Sequence, residues 1–177
     1  MLKPSGKGQA MTVDTVDTGK LWDVIGDIRL GMLTLRGQDG RLHSSPMTTQ
    51  NRASDRGGVL WFFMSRSGER IRDLLAEPEV NVAYADPDAD RYVSISGVAR
   101  VIEDPVKKAE LFDMAAKAWF AGGASDPNLA LVAVVVNEAE YWDVKSNKAV
   151  QLFKLAKAAV TGEKPRDLGE HRRVRLH

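Results

Sequence analysis

Downstream of Gly31 the apolar residues of this chain change from a helical spacing to alternation, and short alternating segments then recur with turn-forming residues between them. A period of two is the mark of strands with one face in a core, and Gly, Asn, Asp and Pro clusters mark where such strands stop. "GMLTLR" and "RLHSSPMTT" flank "GQDG" as a hairpin, and "QNRASDRGG" reads as an exposed loop before the aromatic strand "VLWFFM". "VNVAYA" and "RYVSISGVARVI" are joined by "DPDAD", and "LALVAVVV" and "AEYWDVK" by "NEAE". Strands connected by turns this short pair antiparallel, since parallel neighbours need a crossover of a dozen residues or more. The predicted fold is mainly β with flanking helices, an antiparallel sheet curled into a barrel.

The helical segments sit at the margins of that pattern. A first amphipathic helix over 15–28 places Leu21, Trp22, Val24, Ile25 and Ile28 on one face, with Asp17 or Thr18 as cap. "SRSGERIRDLLAEP" reads as a hydroxyl-rich turn and a short helix that Pro78 ends. Asp104 and Pro105 form a cap and first-turn pair for a helix to about Phe120, with Leu111, Met114, Ala115 and Ala118 inward. A last helix is expected over 149–159. The organisation expected is a flexible N-terminus over 1–14, one domain over 15–160 and a basic, solvated tail over 161–177.

Composition narrows the functional classes. With 44% hydrophobic residues in 177, one core is within reach without staples, and the absence of cysteine removes disulfides and thiolate metal sites. This fits a reducing compartment, the cytoplasm by default, and no segment approaches the ~20 apolar residues of a membrane span. A net charge of +1 gives no global field toward nucleic acid or membrane. The three histidines, His43, His171 and His177, are too few and too scattered for a metal site, and no metal is expected. Ser44 and Ser45 lack a nucleophile elbow, and neither a P-loop nor a dinucleotide fingerprint is present.

An anion site built largely from main chain remains. In "FFMSRSGERIRD" a strand ends, Ser65 and Ser67 offer hydroxyls, Gly68 permits close approach, and a helix begins with its N–H groups free. Arg70 lies in that helix's first turn, where a cation opposes the dipole unless an anion sits beside it, and Arg66 and Arg72 are close by. In "SSPMTTQ" the proline belongs to an edge or a bulge. An interrupted ladder at Pro46 would free the main chain of Met47 and Thr48 for a flat heteroaromatic ring. The same residues also fit an ordinary capped surface helix and a proline that guards an edge strand. Trp119, Phe120 and Trp142 add aromatic surface of the kind found in cores and interfaces.

"HSSPMT", "WFFMSRSGERIRDLLAEPEVNVAYAD", "YVSISGVARV", "AWFAGGASDPNLALVAVVV" and "EYWDV" together resemble the general stress protein branch of the pyridoxamine 5'-phosphate oxidase-like, FMN-binding split barrels. The resemblance covers about 18–148. It implies an antiparallel, Greek-key-like split barrel and a homodimer with FMN at the subunit interface. It implies that Ser45, Pro46, Met47 and Thr48 lie along the isoalloxazine ring, with Gln50 near the end of that strand. Phe63, Met64 and Ser65 would approach the ribityl-phosphate chain, Arg70 would pair with the phosphate, and Trp142 would reach FMN from the partner chain. Many relatives carry a basic residue where Ser45 stands, and the true oxidases a lysine about where Gln50 stands, both toward phosphate. Arg52, Arg56 or Arg66 are the expected compensators. The Arg-Leu-His-Asp-Arg segment by which the oxidases hold pyridoxal is not matched, so the expected activity is a flavin-dependent oxidoreduction of another substrate. A flavin storage or sensing role and a ligand-free interaction protein are the alternatives.

Overall fold

The computed structural model describes residues 18–143 and 170–175. Among them, β1 (Leu30–Arg36), β2 (Leu42–Thr48), β3 (Val59–Ser65), β4 (Glu79–Asp86), β5 (Arg91–Ile102), β6 (Leu129–Asp143) and β7 (Glu170–Arg175) form one sheet. All pairings are antiparallel in the order β2-β1-β4-β5-β6-β3, with β7 also on β6. The sheet curls until its two end strands approach: the Gln50 N–H donates to the Trp61 carbonyl at 2.8 Å. The expected antiparallel barrel is thus present, with a seam between β2 and β3 in place of a closing ladder.

Alternation sorts the side chains. Leu33, Leu35, Leu60, Phe62, Val82, Ile95 and Val134 fill the barrel, and helix α1 (Thr18–Ile28) adds Leu21, Trp22, Val24 and Ile25. Helix α2 (Glu69–Ala76) buries Ile71 and Leu74 in the same core. At about 1.5–3 kcal/mol for each buried side chain, that packing holds two turns of helix too short to persist alone. A second apolar cluster lies on the opposite face, where Phe63, Leu129 and Leu131 meet Leu111 and Ala116.

Several expectations are corrected. The helix expected from Asp104 to Phe120 is two: α3 (Pro105–Leu111) and α4 (Met114–Lys117). Asp104 caps the first as expected, but Asp113 caps the second, accepting from Ala116 N–H at 2.9 Å. A second cap competes with continuation of the helix. The inward residues are therefore Leu111 and Ala116, while Met114, Ala115 and Ala118 are exposed.

"NEAE" is not a turn, because β6 is continuous through it. Ser96 pairs with Glu138 but Gly97 with Val136, which leaves Asn137 as the extra residue of a bulge. The bend lets one edge of β6 serve β3 over Leu129–Val135 and β7 over Glu138–Asp143. Residues 170–175, expected in a solvated tail, form β7, where Arg173 pairs with Glu138 and Glu140. The N-terminus over 1–14, Asp17 and the helix expected over 149–159 lie outside the described residues.

Candidate functional site

Parity along β2 decides which main-chain groups it can offer. Thr49 N–H donates to Arg29 O and Gly37 N–H to Arg41 O, each at 2.8 Å. The odd-numbered positions between them, Ser45 and Met47 included, are therefore the hydrogen-bonded partners of β1. Pro46 falls at an even position, where its missing N–H would have pointed to the open edge, so the ladder runs through it without a register shift. The expected interruption at Pro46 does not occur, and the Met47 main chain is not freed. Thr48 does direct its N–H and C=O into the seam.

Side chains alternate in the same way. Ser45 stands opposite Leu33 and Met47 opposite Gly31, so both face the barrel interior, and Met47 packs against the main core. Gly31 has to be glycine: a Cβ there would stand 2.8 Å from the Tyr84 ring and from Val82. Pro46 and Thr48 face outward, in line with Met32 and Leu30.

Across the seam, Trp61 spends both main-chain groups: its carbonyl accepts from Gln50, and its N–H donates to Asn51 Oδ1 at 2.8 Å. Asn51 Nδ2 donates to Val59 O at 2.7 Å, so one side chain stitches the loop to β3. Two residues on, alternation aims the Phe63 N–H and C=O into the same seam. Its side chain turns the other way, 6.0 Å from the Phe112 ring, while that of Met64 lies in the barrel core. Phe63 thus offers a ligand main chain only, and Met64 offers neither group, since the same parity pairs its main chain with Ala130 of β6.

The end of β3 is a polar turn. Ser65 Oγ lies 3.1 Å from Ser67 Oγ and donates to Asn128 Oδ1 at 3.2 Å, and Ser67 N–H reaches the same oxygen at 3.0 Å. Gly68 then starts α2 with extended backbone and no side-chain cap, leaving first-turn N–H groups without a side-chain partner. Arg70 is half-buried, and its Nη1 is buried with no hydrogen-bond partner. Ser45 Oγ and Gln50 Oε1 share that condition. An unmet buried polar atom costs roughly 1–3 kcal/mol unless water or a ligand meets it.

The expected compensators are committed elsewhere. Arg66 grips Glu103 with both carboxylate oxygens at 2.6 and 2.8 Å, and Arg56 holds Asp23 at 2.6 Å. Arg52 donates to the Glu110 and Leu111 carbonyls at 3.2 Å. Arg70 Nη1 is, among the described residues, the buried cationic nitrogen without a hydrogen-bond partner. Trp142 stands on the outer sheet face opposite Tyr92, away from this chain's own seam. Both Trp119 and Phe120 lie past the end of α4; Trp119 is 85% exposed, and Phe120 is half-buried against the second apolar cluster. Asn51 and Asn128 are the site residues sequence reasoning missed, since an asparagine in a turn-rich loop carries no mark of its distant partner.

Two open cavities of about 470 and 430 Å³ flank this region, one between the β1–β2 turn and α2, the other between α1 and the 49–56 loop. Neither is lined by Ser45, Met47, Phe63 or Arg70. Among the described residues no cluster could hold a metal ion, and no helix is long and apolar enough to cross a membrane.

This arrangement has relatives. The profile of the family described as "Pyridoxamine 5'-phosphate oxidase like" matches residues 16–166. Protein bli-3 of Neurospora crassa is 24% identical over 156 residues, covering 82% of this chain and 73% of that protein. A solved protein of Jannaschia sp. CCS1 assigned as general stress protein 26 superposes with a TM-score of 0.69 at 30% identity, covering 90% of this chain and 98% of that one. The general stress FMN/FAD binding protein of Xanthomonas citri does so with a TM-score of 0.64 at 35% identity, over 73% and 90% of the two chains. The curled antiparallel sheet is the split barrel of these neighbours, and the chain belongs to the pyridoxamine 5'-phosphate oxidase-like family.

Proposed function

We propose that the chain binds FMN along the β2–β3 seam and acts, as a homodimer, as a flavin-dependent oxidoreductase of the general stress type. The observation that carries this reading is the set of buried polar atoms without partners, Ser45 Oγ, Gln50 Oε1 and Arg70 Nη1, around a seam into which Thr48 and Phe63 aim main-chain groups. The donor set fits the cofactor. A phosphate needs N–H and O–H donors and a cation, which the start of α2, Ser65, Ser67 and Arg70 supply. A planar ring with alternating donors and acceptors needs a main-chain edge, which Thr48 and Phe63 supply.

Homodimerisation is supported by the outer sheet face. Leu30, Met32 and Tyr92 are exposed there, and Pro46 and Trp142 lie in the same cross-strand rows. Covering such a face with a second copy would bring the partner's Trp142 toward the seam. FMN, once bound, supplies hydride and electron transfer; the chain's share is to hold the ring edge, neutralise the phosphate and exclude water. The name of the X. citri relative, which cites FMN/FAD binding, supports the same cofactor class.

The test is titration of FMN with purified protein, followed by desalting. Saturable quenching of flavin fluorescence and flavin absorbance that stays with the protein are expected. Unquenched fluorescence and a colourless protein fraction reject the reading. Steady-state oxidation of reduced nicotinamide cofactors then separates an oxidoreductase from a storage role.

A further inference from the structure

Gln50 is a buried polar residue at the end of the seam. It is 5% exposed, its main-chain N–H is spent on Trp61 O, and its side-chain Nε2 donates to Thr48 O at 3.1 Å. A carbonyl can only accept, so the contact to Thr48 fixes the amide orientation and leaves Oε1 as the buried atom without a partner. An unmet acceptor oxygen repels phosphate oxygens. Gln50 therefore does not do what a lysine near this position would do.

Its place along the seam points the same way. Gln50 is level with Trp61, while the hydroxyl-rich turn begins at Ser65, four residues further along β3 and about 13 Å away at the rise of an extended strand. Because the strand order makes β2 and β3 antiparallel across the seam, Ser45 lies at the Ser65 end and Gln50 at the opposite one. A ligand with its phosphate beside Arg70 would put its ring, not its phosphate, against Gln50.

An oxidised isoalloxazine ring carries a single N–H, at N3. We infer that Gln50 is a specificity-determining residue whose side-chain carbonyl accepts the hydrogen bond of flavin N3–H, setting the ring's register in the seam. This rests on the FMN reading above. Thr48 O, which receives the Gln50 amide, is the positioning contact.

The experiment compares binding of FMN and N3-methyl-FMN by fluorescence quenching, in the wild type and in Gln50→Met. The wild type is expected to bind FMN at least about tenfold more tightly than the methylated analogue, the worth of one hydrogen bond to a buried acceptor. In Gln50→Met the ratio is expected to fall toward one, because the methionine cannot accept. A flavin absorbance band that shifts on binding to the wild type and not to the variant supports the same contact. Equal wild-type affinity for the two flavins overturns the inference while the FMN reading stands. So does a ratio unchanged in Gln50→Met, since the methyl group is then rejected by shape alone. Failure of the wild type to bind FMN overturns both.

Discussion

The hydroxyls of Thr49 and Tyr84 lie 2.7 Å apart inside the barrel, tying the end of β2 to β4 just before the chain crosses toward β3. Burial pushes the Tyr84 phenol above its ordinary range, against the opposing effect of the Thr49 hydrogen bond. Folding therefore favours the protonated phenol. The stability it contributes is fully present below the unfolded value near 10 and is lost as pH rises beyond it. Tyr84→Phe is expected to cost about 1–3 kcal/mol at neutral pH by leaving the Thr49 hydroxyl unmet. It should also flatten the decline in stability above about pH 10. Urea unfolding of both proteins from pH 7 to 11 reads both effects; equal alkaline slopes would remove Tyr84 as their source.

Gly97 faces the bulge at Asn137, and a Cβ there would stand 2.4 Å from the Val135 carbonyl oxygen. The obstacle is backbone, which cannot turn aside as a side chain can. Gly97→Ala should therefore lower unfolding stability by roughly 1–3 kcal/mol or more, the cost of overpacking. A urea midpoint equal to that of the wild type would show that the β5–β6 bend yields at little cost.

Asp55 and Lys107, 2.6 Å apart, pin the 49–58 loop to α3. Burial works to raise the Asp55 carboxyl, but the Lys107 ammonium and the Arg52 N–H outweigh it and hold the group below its ordinary value. The stability so gained is present above the unfolded carboxylate value near 4 and is lost as pH falls through the lower folded value. Asp55→Asn should cost about 1–3 kcal/mol at pH 7, and its difference from the wild type should shrink below about pH 4. Denaturant melts at pH 3 and pH 7 measure this; a constant difference would contradict it.

Arg70→Met removes the proposed phosphate partner and with it an unmet buried nitrogen. FMN affinity is expected to fall about 10- to 150-fold, one charge-assisted hydrogen bond, with the unliganded protein no less stable. Parallel FMN titrations and thermal melts separate the two readouts. Unchanged affinity would mean that the phosphate lies elsewhere.

Much of this was legible in the chain because the signals are local. Alternation marked the strands, Asp104 and Pro105 marked a helix start, and Pro78 a stop. An arginine set against the dipole of α2 singles out Arg70, whose Nη1 is buried without a hydrogen-bond partner. What stayed hidden depends on partners distant in sequence. "NEAE" has turn-like polarity, yet β3 and β7 sharing one edge of β6 make it a bulge. Pro46 reads as an interruption in the sequence alone, because its parity against β1 depends on the Gly37 and Thr49 contacts at either end. Asp113 broke a helix whose apolar spacing alone would have continued it. Arg52, Arg56 and Arg66 read as phosphate partners from the sequence, but Arg52 is held by the Glu110 and Leu111 carbonyls, Arg56 by Asp23 and Arg66 by Glu103.

The most direct test of a seam that holds a flavin by its phosphate end is the affinity of the wild-type protein for FMN against riboflavin, which has the same ring and no phosphate. FMN is expected to bind about 10- to 150-fold more tightly at low salt, with the gap narrowing as salt rises. Equal affinities for the two flavins would contradict an anion site at Arg70 and the start of α2.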